Sequence, residues 1–223
     1  MTRVRRLQYF LLACAVILAP LLLAAWFTIC PQYGNPGCPS GVGALAAFRA
    51  QDPTLTSAFL TVGSVIPYIY PLSYIGLALL AAERSPKLAT VGVIFGWLGA
   101  IAWGFIAEQM FIGNQLARIG NDALATNLLS GYTSSWQTYL VATGWVLGHQ
   151  LAYVLLGLAL WKARVTPRWT SIMLIVSAPI MGPIAYGAGN GWLQVAGFGL
   201  VFIASVPLAI RIVGQSTKRS GPR

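Results

Sequence analysis

Charge is scarce in this chain. Asp, Glu, Lys and Arg together make up only 8% of 223 residues, where an ordinary soluble domain carries about a quarter. Four residues are acidic, one is histidine and three are cysteine. A lone histidine rules out a bis-histidine haem site, and without a cysteine or carboxylate cluster beside it a zinc centre is not expected either. The cysteines form no Cys-x-x-Cys pair, which argues against dithiol redox chemistry. Nothing strand-like precedes the glycine-rich stretches, so they do not read as phosphate-cradling loops. No catalytic residue, metal or cofactor is assigned on this basis.

Apolar length is what the chain has. Hydrophobic residues make up 57%, mean hydropathy is +0.72, and six apolar stretches lie near 7–29, 57–82, 88–112, 136–161, 170–187 and 191–213. The length allows roughly 37 residues per stretch, enough for a helix of about 20 residues and its connection. The sequence therefore predicts an all-α class: one polytopic bundle of six transmembrane helices over 1–223. Arg5-Arg6 and Leu11-Leu12-Ala13-Cys14 suggest export or lipoprotein signals. The apolar run continues past Cys14, however, which predicts a retained first helix with Cys14 as a small buried residue.

The basic residues alternate with the spans. Arg3, Arg5 and Arg6 precede the first, Arg84 and Lys87 follow the second, and Lys162, Arg164 and Arg168 follow the fourth. Arg211, Lys218, Arg219 and Arg223 follow the sixth. Only Arg49 and Arg118 fall in the other gaps. Lys and Arg flanking membrane helices are retained in the cytoplasm, so both termini are expected inside a cytoplasmic membrane. The net charge of +10 then reflects topology and contact with anionic lipid headgroups, and nucleic acid is not an expected partner.

Two longer connections, about 30–56 and 113–135, fall on the external side. The first contains Cys30 and Cys38, expected to close a structural disulfide on the oxidising face. It also holds a short apolar piece around Ala44–Phe48. The second contains Asp122 to Gly131, read as a short surface helix. Trp26, Trp136, Trp161, Trp169 and Trp192 lie near span ends, as an interfacial belt requires.

An internal match accompanies this layout. Gly76-Leu-Ala-Leu-Leu-Ala-Ala-Glu-Arg-Ser-Pro-Lys87 and Gly157-Leu-Ala-Leu-Trp-Lys-Ala-Arg-Val-Thr-Pro-Arg168 align at a constant offset of 81. The offset suggests duplicated hairpins, helices 2–3 and 4–5, a device found in transporters and equally a way to build an inert bundle.

His149 lies roughly 20 Å along the fourth span at 1.5 Å per residue. Intramembrane ionisable groups serve either function or interhelical hydrogen bonding. The offset sets Tyr68 against His149. Pro67 and Pro71 should distort helix two and free backbone carbonyls, and Pro179 and Pro183 repeat the pattern in helix five. Tyr70 and Tyr74 share one helical face. These features predict a ligand-binding cavity lined by Tyr68, Tyr70, Tyr74, His149 and Gln150, with Glu108 nearer its mouth. A packed aromatic core is the competing reading. Gly92, Gly96, Gly99, Gly104, Gly197 and Gly199 are expected to allow close helix approach.

Leu155-Leu-Gly-Leu-Ala-Leu-Trp-Lys-Ala-Arg164, with Pro167-Arg168-Trp169 after it, resembles the fourth-helix end of six-helix integral membrane proteins of actinobacterial type that have no assigned activity. The likeness covers roughly 136–210 and implies fold and membrane location alone. The leading expectation is binding or passage of a small apolar or amphipathic molecule in an outward-facing cavity. The alternatives are an accessory subunit that binds a membrane-protein partner or a second copy, and an intramembrane enzyme using Glu108 or His149 as acid or base.

Overall fold

The computed structural model describes residues 3–30 and 43–218. The long helices are α1 (Arg3–Ile29), α3 (Pro53–Ala81), α4 (Pro86–Ala117), α6 (Trp136–Ala163) and α9 (Gly191–Lys218). A further span starts as α7 (Arg168–Pro179), passes through a π-helical turn at Ile180–Ile184 and ends as α8 (Ala185–Gly187). Two short helices, α2 (Gly43–Ala50) and α5 (Asp122–Thr133), occupy the longer connections. Among the described residues six helices are long and apolar enough to cross a membrane, as in a multi-pass membrane protein. Among the described residues there is no strand.

The chain order is also the packing order. Each span packs on the next, from α1 through α3, α4, α6 and α7 to α9, and α9 returns to α1. Helices α3 and α6 also meet across the middle of that ring. The basic turns meet on the face that carries the termini. There Arg84 Nη1 donates to the Ala163 carbonyl at 2.8 Å and Arg211 Nε to that of Val165 at 3.0 Å. The opposite face, called distal here, carries α2 and α5, where Arg49 pairs with Asp122 at 2.7 Å and donates to the Ala117 carbonyl.

Local chemistry sets the helix ends. Asp52 Oδ1 accepts from the Thr54 and Leu55 amides at 2.8 and 3.2 Å, with Pro53 at the first helical position, where its missing N–H does no harm. The cap of α5 is Asn121, one residue ahead of Asp122; its Oδ1 accepts from the Leu124 amide at 3.0 Å. Ser135 does the same for α6 through the Thr138 amide.

Glycines decide how closely the helices approach. A Cβ at Gly148 would stand 2.7 Å from the Gly99 nitrogen, and one at Gly99 would stand 2.8 Å from the His149 nitrogen. The α4 and α6 backbones therefore touch, which only glycine permits. Gly104 and Gly199 do not act this way, because their positions meet nothing closer than 4.0 Å.

The two proline pairs behave differently. Helix α3 stays continuous through Pro67 and Pro71. Pro67 lacks the N–H that would bond the carbonyl four residues back, that of Gly63. The Trp103 indole supplies the missing donor to that carbonyl at 2.9 Å. The fifth span does break, at Gly182 (φ −105°, ψ −105°) between Pro179 and Pro183.

Two expectations need correction here, and a third lies beyond reach. Trp26 is no interfacial anchor; it is 3% exposed, wedged among Phe59, Trp103 and Gly63. Trp136, Trp161, Trp169 and Trp192 do lie exposed at span ends. Cys14 is half-buried and unbonded, not fully buried. Cys38 lies outside the described residues, and with it the expected Cys30–Cys38 bridge.

Candidate functional site

His149 stands at the centre of the bundle with 2% of its surface exposed. The α4–α6 glycine contact fixes its backbone. Its Nδ1 lies 2.6 Å from the Tyr74 hydroxyl. Tyr74 reaches it because its ring lies across Gly96, in space that any Cβ there would occupy. Trp145 lies tilted by 30° to the imidazole, with centroids 4.3 Å apart, and Tyr153 meets it edge-on at 4.8 Å. Tyr70 and Phe198 complete the enclosure at 5.0 and 5.4 Å.

Helical spacing explains this cluster. Trp145, His149 and Tyr153 recur every fourth residue on one face of α6, and Tyr70 and Tyr74 do so on α3. Each aromatic contact of this kind adds about 0.5–1.5 kcal/mol beyond burial. The polar atoms are less well served. His149 Nε2 and the hydroxyls of Tyr70 and Tyr153 are buried without a hydrogen-bond partner of good geometry, although the two hydroxyls interact with each other.

Toward the distal face, the bundle opens into a cavity of about 610 Å³. Trp26, Phe27, Trp103, Ile106, Met110 and Trp145 form its apolar walls, and Gln109, Thr133, Thr138, Asn190 and Gln194 give it polar points. Tyr139 and Tyr186, each more than half exposed, also line it. Beneath lies a second void of about 10 Å³, bordered by His149, Gln150 and Met181. That is about the space one water molecule needs. Phe27, Trp145, Tyr186 and Gln194 line both voids and form the collar between them. Among the described residues, no charged side chain lines either void.

The fold brings together Tyr70, Tyr74 and His149, with Gln150 beside them at the lower void. Gln150 rests on Gly182, where a Cβ would overlap its amide. Tyr68 is elsewhere: it is 76% exposed on the outer surface of α3. The offset of 81 thus pairs an outward tyrosine with an inward histidine, and the site does not follow the repeat. Glu108 is exposed on α4 and lines neither void, whereas its neighbour Gln109 does. Proximity on the helix was misleading, because adjacent residues point about 100° apart. No acid–base pair between Glu108 and His149 is formed.

Trp103, Trp145, Tyr153, Phe198 and Gln194 belong to the site without having been singled out in the sequence. The fourfold spacing around His149 was a readable signal for Trp145 and Tyr153; Trp103, Phe198 and Gln194 come from other helices and had none. Among the described residues no group of three or more His, Cys, Asp or Glu lies together. Comparison with protein-family models, curated proteins and solved structures gives no match, so no activity is carried over from a relative.

Proposed function

We propose that this protein, seated in the cytoplasmic membrane with both termini inside, binds or passes a small apolar or amphipathic molecule through the cavity at its distal, outer face. The observation that carries the reading is the cavity itself. Its volume of about 610 Å³ falls in the range of small-molecule sites, about 300–1,000 Å³. It has the usual make-up of such a site, with aromatic walls and a few polar points. It also ends above a buried histidine, the kind of intramembrane group that marks a pathway or a ligand site.

Tryptophan emission gives a direct test, because Trp26, Trp103 and Trp145 line the cavity. Ethylnaphthalene titrated into the protein in lipid nanodiscs should quench it with a saturable component above linear partition into lipid. Ala142 lines the cavity and is exposed. Ala142→Trp should fill the space and remove the saturable component while melting temperature stays within about 2 °C, as expected for a surface change of under about 0.5 kcal/mol. Quenching that stays linear and equal in both proteins would end the proposal.

A further inference from the structure

The hydrogen-bond inventory around His149 says what kind of molecule the cavity takes. A neutral imidazole carries one N–H and one bare nitrogen, so the 2.6 Å contact with Tyr74 has two forms. If Nδ1–H donates to the Tyr74 oxygen, the phenolic hydrogen has no acceptor among the described residues and Nε2 is a bare acceptor without a donor. Two buried groups are then unmet. If the Tyr74 hydroxyl donates to Nδ1, its hydrogen is used and only Nε2–H is unmet. Leaving a buried polar group unpaired is the larger penalty in hydrogen-bond energetics, so the second form is favoured. His149 then presents a donor.

That donor belongs to a residue bordering a void with room for one oxygen-sized group and no ring. The space above the collar has room for a larger apolar body against Trp26, Trp103 and Trp145. Among the described residues no charged side chain lines either void, and an uncompensated charge there would be strongly disfavoured. We infer that the ligand is a neutral, lipid-soluble ring compound bearing a carbonyl, a ring ketone or quinone, whose oxygen passes the collar and accepts a hydrogen bond from His149 Nε2–H. Gln150, at the same void, offers a second amide donor to that oxygen. The inference rests on the cavity-binding reading above and adds the chemistry of the ligand's polar end.

The test compares acetylnaphthalene with ethylnaphthalene, nearly equal in shape and different in the carbonyl. With tryptophan quenching in nanodiscs, corrected for the partition of each into lipid, the ketone should bind about tenfold more tightly, the worth of one hydrogen bond to an otherwise unmet buried donor. In His149→Phe the ratio should fall to about one. The unaltered protein gives an independent reading, since its single histidine yields one imidazole in nitrogen NMR of histidine-labelled material. The proton should be on Nε2, and that resonance should move with acetylnaphthalene and stay with ethylnaphthalene. Equal affinity for both probes, or a proton found on Nδ1, overturns the inference and leaves the cavity reading standing. Failure of both probes to bind removes the cavity reading itself.

Discussion

The two halves of the bundle are built from different materials. Toward the termini, Ala78, Ala81, Ala89, Ala159, Ala163, Leu156 and Leu160 are buried together, and small residues let helices meet almost backbone to backbone. Toward the distal face, Phe59, Trp26, Trp103 and Trp145 form a chain of ring contacts, with centroids 4.5 to 4.8 Å apart. Small side chains fill a lattice; large rigid rings act as struts that hold helices apart. The solid half therefore anchors the site, and the strutted half leaves space for a ligand. His149 sits where the two meet.

This contrast can be broken from either side. The largest effect is expected at the solid junction. Gly148→Ala drives a methyl group to 2.7 Å from the Gly99 nitrogen, and overpacking of this kind costs about 1–3 kcal/mol. Thermal unfolding in detergent should show a clear fall in melting temperature, whereas Gly199→Ala, with open space around it, should match or slightly exceed the unaltered protein. A fall of equal size in both would mean that the glycines do not set the helix spacing.

An effect of similar size is expected among the struts. Trp103→Phe keeps a ring but leaves the Gly63 carbonyl, freed by Pro67, without its indole donor. An unmet buried carbonyl costs about 1–3 kcal/mol, so stability should drop and ethylnaphthalene binding should change with it. If Trp103→Phe melts like the unaltered protein, that carbonyl has another partner and the account of the continuous α3 is wrong.

The smallest effects are expected outside both halves. Tyr68→Phe and Glu108→Gln alter exposed positions away from either void. Each should shift stability by under about 0.5 kcal/mol and leave the probe affinities unchanged. A tenfold loss of binding in either variant would return that residue to the site.

Much of the architecture was readable because membrane solvent imposes simple rules. A span needs about 20 apolar residues and an internally bonded backbone, so six stretches announced six helices within a few residues of their observed ends. The candidate site was readable only in part. Tyr70 and Tyr74 on one face and a mid-span histidine were visible, but the partner of His149 is Tyr74, not the Tyr68 that the repeat offset suggested. Trp26 shows the same limit, since nearness to a helix end does not say whether a side chain points to lipid or inward.

The sequence by itself determined class, span number and the alternation of charge, because each depends on composition along a single helix. Tertiary structure alone decided which faces turn inward, how the glycines of α4 and α6 set His149 in place, and where the packing stops. Those outcomes depend on rotation and spacing between helices, which hydropathy does not encode. The nitrogen left unpaired at His149 is one of them: it arises only when residues from α3 and α6 meet and Tyr74 takes up one ring nitrogen, leaving the other without a hydrogen bond.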